Sequence, residues 1–239
     1  MISIVIPALN EEQYITDSLK SLKAQDYTGD YEVIVVDNES RDGTAEIARG
    51  LGARVVCCRE RNGIAHVRHV GADAARGDII VQGDADTVYP RQWLSKIARG
   101  FESHPEAVAL AGRYFYNRPR WWAKVEYAFR FGINQVSVAT LGRPLIISGA
   151  TFAFRRSAFQ AVKGYHGLTF SADQYGISSR LNKAGKVLYD KDLFVFTSPR
   201  RVAHKSTLVL LIDVFTNLNR WHIYLCKQCL KSVRKSERE

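Results

Sequence analysis

Apolar positions in the first half of the chain alternate between two rhythms. Residues 2–7 form a short continuous apolar run, the pattern of a strand buried on both faces of a parallel sheet. Asn10 and Glu11 then read as helix-start residues, and Ile15, Leu19 and Leu22 recur at helical spacing. Residues 31–36 make a second β-branched run, ended by Asp37-Asn38-Glu39-Ser40. Asp42-Gly43-Thr44 leads into a helix carrying Ala45, Ile47 and Ala48. A third strand is predicted over 53–57, where Cys57 and Cys58 read as buried strand residues, and a helix of small residues over 63–75. Residues 78–81 predict a fourth strand, ended by Gln82-Gly83-Asp84-Ala85-Asp86. Tyr89-Pro90 opens a helix with Trp93, Leu94 and Ile97, Pro90 fitting its first turn. Residues 108–112 return to the sheet.

The second half is less regular. Residues 118–131 mix Trp121, Trp122, Tyr127, Phe129 and Phe131 with Arg118, Arg120, Lys124 and Arg130. A strand is predicted over 145–154, a loop over 165–173 and a helix over 174–183. Leu208, Leu211, Ile212, Phe215, Leu218, Leu225 and Cys229 recur at helical spacing toward a basic end at Lys227, Lys231, Arg234 and Lys235.

A βαβαβα order implies an α/β fold with a doubly wound, mostly parallel sheet, here with a helical C-terminal tail. The expected division is one domain over 1–205, with halves 1–112 and 113–205, and an amphipathic basic helix over 206–239. In such sheets ligands bind beyond the carboxyl ends of the strands. Asn10, Asp37 and Asp84 each follow a predicted strand, so three polar sites distant in sequence are expected along one edge.

Composition narrows the partners. The chain has 239 residues, 46% hydrophobic, with 34 basic against 24 acidic residues and a formal net charge of +10. That balance supports a packed core and favours anionic partners such as nucleotide diphosphates, nucleic acid or an anionic lipid surface. The chain enters its first apolar run without a basic segment before it, and no apolar stretch approaches the length of a membrane span, so a cytoplasmic setting is expected. Cys226 and Cys229 have metal or redox spacing, but no second pair completes a zinc site.

Asp84 and Asp86 carry the chemistry. Alternate residues leaving a strand point the same way, so both carboxylates can face one ligand. Two hard oxygen donors suit Mg²⁺ or Mn²⁺, which bind through a few carboxylates plus phosphate oxygens. An acidic residue such as Asp37 at the end of a second strand also occurs in dinucleotide-binding folds. Those need a glycine-rich turn after the first strand, and Pro7-Ala8-Leu9-Asn10-Glu11-Glu12 stands there instead.

Here the sequence resembles a known family. Ile4-Val5-Ile6-Pro7-Ala8-Leu9-Asn10-Glu11-Glu12 is similar to the opening motif of family 2 glycosyltransferases, which have the GT-A fold. Val35-Val36-Asp37-Asn38-Glu39-Ser40-Arg41-Asp42-Gly43-Thr44 resembles their second motif. Arg68, Gly71, Ala75, Arg76, Gly77 and Asp78 resemble the segment leading to their D-x-D signature, here Asp84-Ala85-Asp86. The resemblance implies that Pro7, Ala8, Asn10 and Glu11 line a nucleoside pocket, with Asp37 and Asn38 beside the base and Arg68 near the diphosphate. Asp84 and Ala85 would approach the ribose, Asp84 also the metal, and Asp86 would bind the metal, Mn²⁺ or Mg²⁺. The sequence departs from the family at Asn38, where aspartate often reads uracil, and at His69, where asparagine is frequent.

The acceptor half is similar in looser form. Ser148-Gly149-Ala150 through Phe154-Arg155-Arg156 resembles the family's acceptor-side strand and loop. A Glu-Asp pair before an arginine-bearing helix corresponds to Ala172-Asp173, followed by Arg180-Leu181 and Gly185. The glutamate is absent. Asp173 is the candidate general base, with helix capping as its other reading. Thr197-Ser198-Pro199-Arg200-Arg201 resembles a motif in which paired arginines clamp phosphate, and His204 is a candidate further metal ligand.

What the resemblance implies is a metal-dependent, inverting transfer of a sugar from a nucleotide-diphosphate donor to a hydroxyl or phosphate acceptor, either a glycan or a lipid-linked one. The aromatic and basic residues of 118–131 and the basic tail suit peripheral contact with an anionic membrane at its cytoplasmic face. No nucleic acid is expected as a partner. The competing readings are a nucleotidyltransferase, which calls for a glycine-rich basic loop after the first strand, and a basic nucleic-acid-binding module without catalysis.

Overall fold

The computed structural model describes residues 1–60, 63–117, 121–168 and 173–200. In chain order its elements are β1 (Ile2–Ala8), α1 (Ile15–Lys23), β2 (Tyr31–Asp37), α2 (Thr44–Gly50), β3 (Arg54–Cys57), α3 (Ile64–Ala74), β4 (Ile79–Gln82) and β5 (Thr87–Val88). Then follow α4 (Trp93–Ser103), β6 (Ala107–Tyr116), α5 (Trp121–Leu141), β7 (Phe152–Arg155), α6 (Arg156–Ala161), α7 (Asp173–Ala184) and β8 (Lys186–Thr197).

The continuous apolar runs arise because each central strand feeds two cores. Side chains alternate across a strand. In β1, Ile2, Ile4 and Ile6 enter one apolar cluster and Val5 enters another; in β2, Val35 is separated from Ile34 and Val36 in the same way. On the first face lie Ile15, Leu19 and Leu22 of α1, Ala48 of α2, and Trp93, Leu94 and Ile97 of α4. On the second lie Ala65, Val67 and Ala72 of α3, Phe159 of α6, and Ile177 and Leu181 of α7. Helices on both faces make the sheet doubly wound. Each fully buried Ile or Leu contributes about 1.5–3 kcal/mol over an exposed one, so this patterning fixes the strand register strongly.

The eight-stranded sheet runs β3-β2-β1-β4-β7-β6-β8-β5. The pairings β1–β2, β1–β4, β2–β3 and β6–β8 are parallel, and β7 is antiparallel to both its neighbours, as β5 is to β8. β1 therefore stands between β2 and β4, and the loops leaving these three strands share one edge. Pro7 is tolerated in this central strand because β4 stops short of it. The Gly83 N–H donates to Val5 O at 2.9 Å, while the Asn38 N–H donates to Ala8 O at 2.9 Å on the opposite side. Pro7 faces the β4 side like Val5, past the last ladder bond, where its missing N–H costs nothing.

Several expectations change. Residues 145–151 are not a strand; only Phe152 onward joins the sheet. At Leu145 and Ile146 the cause is Asn134 of α5, whose Oδ1 accepts from their N–H groups at 3.1 and 2.9 Å and whose Nδ2 donates to Ile146 O at 2.9 Å. One side chain supplies what a neighbouring strand would. Residues 121–131 of the aromatic-basic segment belong to a 21-residue helix, α5. β8 has no counterpart among the expected elements. Its alternation is broken at Asp190-Lys191-Asp192, where its pairing with β6 jumps from Ala111↔Tyr189 to Arg113↔Phe194. The Asp192 N–H donates to Asp190 Oδ1 at 2.7 Å within that irregularity. Cys57 is exposed at the end of β3, whereas Cys58 just beyond it is buried; both are free thiols.

Contacts divide the chain into two units, Met1–Ser198 and Pro199–Glu239. The expected helix over 206–239, which carries Cys226 and Cys229, lies outside the described residues, as do Arg201, His204, Arg118 and Arg120. Among the described residues no helix is long and apolar enough to cross a membrane.

Candidate functional site

The loops after β1 and β2 are knitted into one surface. Asn10 adopts the left-handed region (φ 55°), which asparagine tolerates better than most residues. From there its N–H donates to Ser40 Oγ at 3.0 Å, and its Oδ1 accepts from the Arg41 N–H at 2.8 Å. The Glu11 N–H donates to Thr44 Oγ1 at 2.7 Å, and Glu12 accepts from the Gly43 N–H at 2.9 Å. Asp37 is buried, and its Oδ1 accepts from the Ser40 N–H at 3.4 Å. Glu39 beside it is left-handed (φ 61°), a conformation that carries strain outside glycine. The Asn38 Oδ1 is buried without a hydrogen-bond partner. An orphaned acceptor at this edge suits a ligand that brings its own donor.

The loop after β4 forms the second part. Arg68, buried on α3, donates from Nη2 to Asp84 Oδ1 at 2.9 Å. The carboxylate is the more exposed partner, 27% against 7%. Gly149 closes over the guanidinium: a Cβ there would stand 2.7 Å from both Arg68 Cζ and Nη1. Asp84, Arg68 and Gly149 are thus brought together from three separate stretches of sequence. A buried arginine needs this pairing, because an unpaired buried charge costs several kcal/mol.

The backbone of Asp84 is held from below. Its N–H donates to the Tyr89 hydroxyl oxygen at 2.9 Å, and that hydroxyl donates to Asp84 O at 3.0 Å. The Ser18 hydroxyl of α1 reaches the same carbonyl at 3.4 Å. Burial holds the Tyr89 phenol far above its ordinary pKa, with Asp84 and Asp86 adding to the effect, so it stays a neutral donor. Ala85 is buried in the first-face core. Asp86 is buried and anchored to the end of β8: its Oδ1 accepts from Thr197 Oγ1 at 3.4 Å and its carbonyl from the Ser198 N–H at 3.1 Å.

The donor set fits a hard divalent cation. Asp84 and Asp86 are carboxylates two residues apart at a strand end, and one oxygen of Asp84 is already engaged by Arg68. Among the described residues no group of three His, Cys, Asp or Glu side chains converges. Mg²⁺ and Mn²⁺ sites of this kind draw much of their coordination from phosphate oxygens and water.

Further expected residues belong to other elements. Arg180 donates from Nη1 and Nη2 to the carbonyls of Gly164 at 2.6 Å and His166 at 2.8 Å, tying α7 to the turn after α6. Asp173 is the first residue of α7. Arg200 belongs to the second unit. His69 is wedged beside Phe159 and His166, 5.7 Å from each ring centroid, and burial pushes its imidazole below the usual pKa. Tyr89 and Ser18 were not legible as site residues. Tyr89 read only as the start of a helix, and its contact with Asp84 depends on the short chain reversal between β4 and α4.

The family model described as "Glycosyl transferase family 2" matches residues 3–163. The "Uncharacterized glycosyltransferase YfnE" of Bacillus subtilis is 33% identical over 110 residues, 44% of this chain and 28% of that protein. The "Glucosyl-dolichyl phosphate glucuronosyltransferase" of Haloferax volcanii is 26% identical over 176 residues, 69% of this chain and 55% of that protein. The chain thus spans less than two thirds of either relative. Among solved structures, the mannosyltransferase PcManGT from Pyrobaculum calidifontis, in complex with GDP-Man and Mn²⁺, superposes with a TM-score of 0.71 at 23% identity. That match covers 95% of this chain and 64% of that one, and it shows a shared fold.

Proposed function

The chain belongs to glycosyl transferase family 2, and from that premise we propose that it moves a sugar from a nucleotide-diphosphate donor to a hydroxyl or phosphate acceptor with inversion. The observation that carries the reading is the Arg68–Asp84 pair under Gly149, set beside the knitted loops of Asn10 and Asp37. Pro7, Ala8, Asn10, Glu11, Asp37 and Asn38 form the nucleoside side of this edge. Arg68 supplies fixed positive charge where the diphosphate leaves, and burial keeps that charge strong. Asp84 and Asp86 would hold Mn²⁺ or Mg²⁺, which neutralises charge developing on the departing diphosphate. Asp173 takes the acceptor's proton as its oxygen attacks the anomeric carbon. Arg200, Arg201 and His204 are the proposed phosphate clamp and further metal ligand on the resemblance of Thr197-Ser198-Pro199-Arg200-Arg201 to the family's motif.

The relatives support this substrate class. PcManGT is described with GDP-Man and Mn²⁺, TarS of Staphylococcus aureus with UDP-GlcNAc, and the Haloferax protein by a dolichyl phosphate acceptor. Peripheral attachment to the cytoplasmic face of an anionic membrane belongs to the same proposal. Its supports are the exposed Trp121, Val125, Phe129 and Val136 of α5 and the net charge of +10. Failure to sediment with anionic liposomes at low salt overturns the membrane part.

The central test is a thermal-shift panel of GDP- and UDP-sugars with and without Mn²⁺. A true donor raises the melting temperature in a metal-dependent way. Asp86→Ala is expected to abolish the metal dependence; an unchanged response removes the metal assignment.

A further inference from the structure

A cavity of about 280 Å³ lies between α5 and the strands β6 and β8. Its walls include Tyr114, Phe115, Tyr127, Phe131 and Tyr189. It also contains charge. Glu126 and Arg130 pair with each other along α5. Burial raises the Glu126 carboxyl's pKa and lowers that of Arg130 to about 10, which leaves the arginine protonated at neutral pH.

Arg113 is different. Its Nη1 donates to the Tyr127 hydroxyl, and its guanidinium lies over Phe115, Tyr127 and Phe131 at 5.5, 5.6 and 5.2 Å from their centroids. Among the described residues no carboxylate pairs with it. Its Nε is buried without an acceptor. A cation held by aromatic faces with a buried N–H left over lacks an anionic partner, since desolvated donors are normally satisfied.

The cavity adjoins the Arg68–Asp84 group. Ser148 lines it, and the next residue, Gly149, packs on Arg68. We propose that this cavity seats the acceptor, and that the acceptor is an amphiphile carrying one anionic oxyacid group, phosphate or carboxylate, next to an apolar body. The anion pairs with Arg113, and the rings of Phe115, Tyr127 and Phe131 take the apolar part. Naming it the acceptor's seat rests on the glycosyl-transfer reading above; the binding chemistry does not.

The test is calorimetric titration of the full chain with hexyl phosphate, hexanoate, hexanol and inorganic phosphate. Hexyl phosphate or hexanoate is expected to bind at least about tenfold more tightly than hexanol or inorganic phosphate, and Arg113→Gln to remove that advantage. Ala123→Phe, which fills the cavity from its buried wall, is expected to block all four while leaving nucleotide-sugar binding with Mn²⁺ intact. Equal binding of hexanol, equal binding of inorganic phosphate, or full affinity in both variants overturns the proposal. A chain that binds hexyl phosphate through Arg113 yet ignores every nucleotide sugar keeps the anion site and overturns the donor reading instead.

Discussion

Arg68 on α3 and Asp84 at the end of β4 form a charge-assisted hydrogen bond of 2.9 Å beneath Gly149. The pair joins the helix that packs on one face of the sheet to the loop that carries the candidate metal ligands. Its geometry depends on both partners being held, Arg68 by burial and Asp84 by Tyr89.

Gly149→Ala places a methyl group against the Arg68 guanidinium, 2.7 Å from Cζ. The arginine must shift, and the bond to Asp84 lengthens with it. Transfer is expected to fall about tenfold or more, because small misplacements of positioning groups are costly. Melting temperature should fall as well, because the buried guanidinium is left with a weakened partner. Steady-state kinetics beside a thermal melt checks this, and unaltered transfer would show that the guanidinium position is irrelevant.

Tyr89→Phe removes both hydrogen bonds to the Asp84 backbone while keeping the ring against Trp93, 4.4 Å between centroids. The buried Asp84 N–H loses its partner, a loss of about 1–3 kcal/mol of stability. Donor affinity in the presence of Mn²⁺ should weaken with it. Urea denaturation and donor titration measure the two effects separately.

Glu32 predicts an acid-sensitive fold. Burial pushes its carboxyl pKa up, but Ser3, the Arg76 N–H and Arg54 outweigh that and hold it below the ordinary 4.5. Ser3 Oγ and the Arg76 N–H reach Oε1 at 2.7 and 2.8 Å, and Arg54 reaches Oε2 at 2.8 Å. A depressed folded pKa contributes stability that is present above 4.5 and lost as pH falls through the folded value. Glu32→Gln should cost about 2 kcal/mol at pH 7 and much less near pH 3. Denaturation at the two pH values decides it; an equal deficit at both would refute the linkage.

Asp173→Asn keeps the side chain's size and shape but cannot accept the acceptor's proton. Donor binding should survive, while transfer falls by about 10²–10⁴. If transfer persists at the wild-type rate, the base lies elsewhere and Asp173 is a cap.

Local signals settled a good deal. The continuous apolar runs of β1 and β2 and the helical spacing of Ile15, Leu19 and Leu22 placed the first half of the sheet, because both faces of those strands are buried. Asn10, Asp37 and Asp84 were legible because each ends such a run. The same logic failed for 145–151, where Asn134 from another element supplies the backbone partners of Leu145 and Ile146, and for β8, where the irregularity at Asp190–Asp192 breaks the alternation.

By itself the sequence determined the α/β fold of the first half and the residue types at the strand ends, since strand period and turn chemistry are local properties of the chain. Only the tertiary structure decided that Arg68 meets Asp84, that Gly149 is small because a guanidinium lies against it, and that Tyr89 holds the Asp84 backbone. It also decided that Arg113 shares a cavity with the rings of α5. These contacts join residues from different elements, and their distances follow from how helices pack on a curved sheet, which no spacing along the chain encodes.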